Sequence, residues 1–161
     1  MKRLKHPLKL ILFIILCHLA GIFGSIFTAM NVQTWYTELY KPWFTPPAWV
    51  FAPVWFILYT LMGIAIFLIY EKRVLLKRKY KHLAIAFFWA QLLLNTIWSP
   101  IFFGLQDPML AFFEIILLLI VLIITIFFFT KVERKAAFLL FPYLIWACFA
   151  AALNAGIWLL N

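Results

Sequence analysis

The chain has 161 residues, of which 68% are hydrophobic and only 12% are charged. Soluble domains are nearer half apolar and a quarter charged, so a soluble fold of this length could not cover so much apolar surface. The net charge of +9 comes from lysines and arginines clustered between long apolar blocks, which points to an anionic membrane surface and away from nucleic acid.

A helix needs about 20 mostly apolar residues to cross the hydrocarbon, and every backbone group there must be bonded inside the protein. Five blocks meet that length, which predicts an all-α membrane protein: a five-transmembrane-helix bundle forming a single domain over residues 1–161. The first block runs from about Leu8 to Thr28. The basic segment Met1–Pro7 ahead of it looks like the start of a signal peptide. The run is long enough to span, however, and no small-x-small site closes it, so it reads as an uncleaved anchor. A long connection follows, Ala29–Ala48, with Trp35, Tyr36, Tyr40, Pro42, Trp43, Pro46 and Pro47. Prolines stiffen it, and its aromatics suit the headgroup zone or a packed lid. The second block runs from about Trp49 to Tyr70, the third from Leu83 to Gly104, the fourth from Pro108 to Thr130 and the fifth from Ala136 to Leu160.

The basic residues set an orientation. Lys2, Arg3, Lys5 and Lys9 precede the first block; Lys72, Arg73, Lys77, Arg78, Lys79 and Lys81 follow the second; Lys131, Arg134 and Lys135 follow the fourth. The other side holds only Lys41. The positive-inside rule predicts a cytoplasmic N-terminus, a C-terminus outside and an outer position for the 29–48 loop.

Polar and aromatic residues inside the blocks fall on single helical faces. Trp55, Tyr59 and Met62 share one on the second block, Gln91, Asn95 and Trp98 on the third, and Trp146, Ala150 and Asn154 on the fifth. All three faces lie toward the outer half, beneath the aromatic loop. Tryptophans stack on a flat ring system, Asn95 offers a donor and an acceptor, and Ala150 leaves space. The same residues have plainer readings. Trp43, Trp49 and Trp158 suit an interfacial belt, and Asn95 and Asn154 suit polar bonds between helices. His18 suits a satisfied bundle residue, and Glu114 lies two turns into the fourth block. Small residues recur every fourth position at Gly21, Ser25 and Ala29 and at Ala147, Ala151 and Ala155, as internal seams or a dimer interface.

Cys17 and Cys148 lie deep in apolar blocks and read as small buried hydrophobes. No Ser-His-Asp arrangement, carboxylate pair, metal cluster or glycine-rich phosphate loop occurs in the sequence. No metal and no resident cofactor is expected.

Three stretches carry a family resemblance. Lys41-Pro-Trp-Phe-Thr-Pro-Pro-Ala-Trp-Val-Phe-Ala-Pro-Val-Trp55, continuing to Tyr59, resembles the signature of the TspO/MBR family, the translocator proteins or tryptophan-rich sensory proteins. Gln91–Gly104 resembles that family's third helix and Pro142–Asn154 its fifth. The resemblance implies a five-helix bundle, usually a homodimer, in a bacterial cell membrane. It also implies binding of protoporphyrin IX and haem-type tetrapyrroles, and of benzodiazepine and isoquinoline carboxamide drugs, in an outer pocket closed by the first loop. Some bacterial members promote light-dependent oxidative breakdown of protoporphyrin IX. The tryptophans tied to that activity match Trp55 and Trp146, and pocket residues match Asn95 and Ala150. The tyrosine and arginine of the animal cholesterol motif are replaced by Ala155 and Leu159, which argues against sterol recognition there.

The expected function is therefore tetrapyrrole binding for sensing or photooxidative degradation, with Trp55, Tyr59, Asn95, Trp98, Trp146, Ala150 and Asn154 lining the site. Transport of tetrapyrroles or other lipophiles is one alternative, and a non-catalytic sensory or interaction role is another.

Overall fold

The structure is a computed structural model that describes residues 6–73 and 78–161. The basic residues Lys2, Arg3, Lys5 and Lys77 lie outside these. Among the described residues the secondary structure is entirely helical, and five helical stretches are long and apolar enough to cross a membrane.

The first span is α1, Pro7–Asn31. Pro7 suits its first turn, where an N–H would lack a partner anyway. The helix continues past the sequence estimate of Thr28, and a short helix α2, Trp35–Glu38, follows in the loop. The second span opens with a 3-10 turn, Ala48–Val50, and becomes α3, Phe51–Glu71. The third is α4, Arg78–Ser99, which begins five residues before the hydrophobic block because Arg78, Lys79 and Lys81 form its first turn. Pro100 lacks an N–H, and the chain answers by widening into a π turn over Pro100–Gly104 that Leu105 N–H closes onto Pro100 O at 2.9 Å.

Gln106, with φ of 56°, reverses the chain. Asp107 then caps α5, Pro108–Val132, by accepting the Leu110 N–H at 2.9 Å. The fifth span has two parts, α6, Arg134–Phe138, and α7, Phe141–Leu160. Pro142 explains the break, since an unbroken helix would set its ring against the carbonyl four residues back.

The bundle is built on α4 against α5, α1 against α3, and α7 against α5, with α1 also packing on α4. Two points show how close α1 and α3 come. A Cβ on Gly63 would stand 2.6 Å from Ile14 Cα, and one on Gly21 would stand 2.3 Å from the Tyr59 ring. Both positions therefore require glycine for this contact, as small-residue seams in membranes do. Ser99 adds polar ties by donating to Gly24 O at 2.8 Å and meeting the Thr28 hydroxyl at 2.7 Å. Of the small-residue stripes, Ala147 and Ala151 are buried, whereas Ser25 and Ala29 are exposed; Cys17 is buried as expected, but Cys148 is exposed because it lies on the outward face of α7.

The outward surface is apolar. Ile11, Leu12, Ile15, Leu19, Ile22 and Ile26 of α1 are each about half exposed, a stripe that only lipid or another apolar surface would cover without cost.

Candidate aromatic site at the loop end of the bundle

Direct packing of α3 against the fifth span runs through α6, near the basic end. Toward the loop end, side chains of α3 and α7 bridge the space between the two helices, and all the bridging rings are aromatic.

Trp55 stands one turn into α3. Its indole stacks on Tyr59, the next turn along, with ring centres 5.4 Å apart and planes 26° apart. It also faces Tyr143 of α7 at 6.2 Å. Asn95 of α4 ties these rings together. It accepts the Tyr59 hydroxyl at 2.6 Å through Oδ1 and donates to the Tyr143 hydroxyl at 3.0 Å through Nδ2. All three residues of this relay are buried. One asparagine thus fixes phenols from two other helices, and the first of them carries the Trp55 stack.

Trp146 lies a turn beyond Tyr143 on α7. Phe51 of α3 meets it edge-on at 5.8 Å and Phe149 lies at 5.4 Å. Its indole N–H is buried and has no acceptor among the described residues. Buried donors are normally satisfied, and this one is therefore a polar group that can still accept a partner. Ala150, one turn further on, is half-buried.

Trp98 and Asn154 form a separate clasp. The Trp98 indole donates to Asn154 Oδ1 at 3.2 Å, and Asn154 Nδ2 donates to Pro108 O at 2.7 Å, which joins α4, α7 and the start of α5. Trp98 stacks on Phe102 at 4.9 Å, a contact delivered by the π turn. Trp35 and Tyr36 of the loop pack edge-on or tilted against Phe102 and Phe103. The loop is also pinned to the C-terminus, where Tyr40 and Asn161 exchange two hydrogen bonds of 3.0 Å. Trp43, Tyr40 and Trp49 remain largely exposed. The loop therefore has a packed underside and a rim of rings facing outward.

The structure thus gathers Trp55, Tyr59 and Asn95 in one cluster with Trp146 close by on α7, and sets Trp98 with Asn154 in a neighbouring one. Sequence reasoning missed Tyr143 and Phe51. A phenol inside an apolar block needs a partner for its hydroxyl, and that requirement was a usable signal for Tyr143. His18, read as a satisfied bundle residue, meets the Thr60 hydroxyl at 3.0 Å. Both carboxyl oxygens of Glu114 are buried and have no hydrogen-bond partner among the described residues.

The profile of the TspO/MBR family matches residues 13–159. The chain belongs to the TspO/MBR family. It is 46% identical to the tryptophan-rich protein TspO of Archaeoglobus fulgidus, over 96% of this chain and 97% of that one. It is 40% identical to the protein of the same name from Chlorobaculum tepidum, over 98% of each. The translocator protein of Bos taurus is 34% identical over 91% of this chain and 86% of its own length. A TspO/MBR member with five membrane-crossing helices and bacterial relatives of full length is an integral membrane protein of the bacterial cell membrane.

Proposed function

We propose that this TspO/MBR member binds a porphyrin- or haem-type tetrapyrrole between α3 and α7 under the loop, and that it senses the pigment or promotes its light-driven oxidation. The observation that carries the reading is the buried Trp146 indole N–H, unpartnered among the described residues, beside a wall of aromatic rings. A flat macrocycle would stack on Trp55 and Trp146, and a polar substituent would meet the free indole donor. Asn95 would hold Tyr59 and Tyr143 in place, and Ala150 would leave room for the edge of the ring system. Because aromatic side chains fill the gap between the helices, entry requires these rings to part or the loop to lift.

In light the excited pigment passes its energy to dioxygen, and Trp55 and Trp146 channel the resulting oxidation. Sealed-vesicle accumulation of the pigment would instead mark a carrier. The reading includes a homodimer, which light scattering of the detergent-solubilised protein tests.

The deciding experiment is a protoporphyrin IX titration followed by tryptophan fluorescence, in the dark and under illumination, with pigment absorbance monitored. Quenching with light-dependent pigment loss is expected, slowed in Trp55→Phe and Trp146→Phe. Pigment decay at the rate of free porphyrin in the native protein would refute the catalytic part, and absence of saturable quenching would refute the binding part.

A further inference from the structure

At the opposite, basic end of the bundle a cavity of about 600 Å³ opens between the start of α1, the end of α3 and the start of α4. Lys9, Lys72, Arg73, Arg78 and Lys81 line it against a single carboxylate, Glu71. That carboxylate is only loosely engaged: Lys9 Nζ and His6 Nε2 each stand 3.7 Å from one of its oxygens, beyond hydrogen-bond length. Lys72 is paired elsewhere, donating to Glu133 at 2.5 Å. Lys81 donates to the carbonyls of Tyr70 at 2.6 Å and Lys72 at 2.9 Å, which pins its ammonium at the C-terminal end of α3. Arg73 and Arg78 have no acidic partner among the described residues.

The chain has no further carboxylates to offer here. Its five acidic residues are Glu38, Glu71, Asp107, Glu114 and Glu133, and Glu38, Asp107 and Glu114 belong to the loop end. The cavity also adjoins a lipid-facing surface, because Leu8, Ile11 and Leu12 of α1 are 81%, 53% and 53% exposed.

We propose that this cavity binds an anionic phospholipid, with the phosphate held by Lys9, Arg78 and Lys81 and the acyl chains running along the exposed stripe of α1. Phosphate is the chemistry the cations recognise, and the adjoining apolar stripe assigns its source to lipid. The proposal does not depend on the tetrapyrrole reading.

The test uses the full chain in dodecyl maltoside, with dioleoyl phosphatidic acid, dioleoyl phosphatidylcholine or inorganic phosphate added and binding read by native mass spectrometry and thermal unfolding. Phosphatidic acid should bind and raise the melting temperature, and phosphatidylcholine should do so far less. Lys9→Gln/Arg78→Gln should weaken phosphatidic acid binding about tenfold or more, since each cation at an anionic surface contributes roughly fivefold. Arg134→Gln/Lys135→Gln removes the same charge from α6, outside the cavity, and should change binding less than about twofold. Equal loss in both double variants would reduce the effect to general surface charge and overturn the site. Stabilisation by inorganic phosphate matching that by phosphatidic acid would overturn the lipid assignment. Should the cavity variant fail to fold, the same comparison is read on Arg78→Gln alone, whose side chain makes no hydrogen bond among the described residues and whose loss should weaken phosphatidic acid binding roughly fivefold.

Discussion

The relay through Asn95 makes a quantitative prediction about how the aromatic site is held. Two hydrogen bonds, of 2.6 and 3.0 Å, join Tyr59, Asn95 and Tyr143 from three spans, all buried. Bonds between helices in membranes average about 0.6 kcal/mol and reach about 1.7. Stranding a buried hydroxyl costs roughly 1–3 kcal/mol. Asn95→Leu keeps the branched shape, cuts both bonds and strands two phenols, so a loss of about 2–4 kcal/mol is expected. Tyr59→Phe cuts one bond and should cost about 1 kcal/mol. Both would be measured by titrating dodecyl sulfate into mixed micelles and following helix loss by circular dichroism. The double variant should be less destabilised than the sum by about 1 kcal/mol, the signature of a shared bond. Porphyrin quenching should weaken in Asn95→Leu, because Tyr59 then no longer anchors the Trp55 stack. Additivity within about 0.3–0.5 kcal/mol would refute the relay as the element that positions Tyr59.

Three further outcomes follow from the packing. Gly156→Ala would set a Cβ 2.3 Å from Pro42 Cγ, so the loop should ride higher and both association and release of porphyrin should quicken a few-fold in stopped flow; unchanged rates would show that the loop does not gate the site. Glu133 accepts hydrogen bonds from the Lys72 ammonium and the Lys135 N–H, and the first of these chiefly holds its carboxyl below the usual glutamate range. A carboxylate depressed in this way stabilises the fold above the unfolded pKa, about 4.3, and that stabilisation fades as pH falls through the lower folded value. The melting temperature of the native chain should therefore exceed that of Glu133→Gln at pH 7 by an amount equivalent to about 0.5–1 kcal/mol, and the gap should shrink as pH is lowered below about 4.3; a gap independent of pH would refute the ion pair. Glu114→Leu removes a carboxyl whose buried oxygens have no partner among the described residues and should raise stability by roughly 1–3 kcal/mol; a fall would mean that the group has a partner in the membrane.

The sequence made the five spans legible because the apolar blocks have the length of the hydrocarbon and the breaks between them are charged or rich in proline. Helical spacing alone grouped Trp55 with Tyr59 and Trp98 with Asn95, since a face is a property of one helix. Two kinds of feature were hidden from it. Local departures came from proline chemistry whose outcome depends on the neighbours: Pro100 produced a π turn, whereas Pro142 produced a break between α6 and α7. Contacts across helices were hidden because registry between spans is set by packing. Asn95 and Trp98 lie on one face of α4, yet Asn95 joins Tyr143 and Trp98 joins Asn154.

Those pairings also sort the polar groups by what they have left to offer. Asn154 spends Oδ1 on the Trp98 indole and Nδ2 on Pro108 O, so it locks α4, α5 and α7 together and has little capacity for a ligand. Asn95 is similarly engaged by two phenols, and its influence on a bound ring would pass through Tyr59 to Trp55. The Trp146 indole N–H has the opposite standing, being buried, strongly polar and unpaired among the described residues. A buried donor of this kind gains by meeting an acceptor. The asparagines, which the sequence left open between ligand contact and bonds across helices, are both engaged across helices, and the group that would gain most from a ligand is the indole of Trp146.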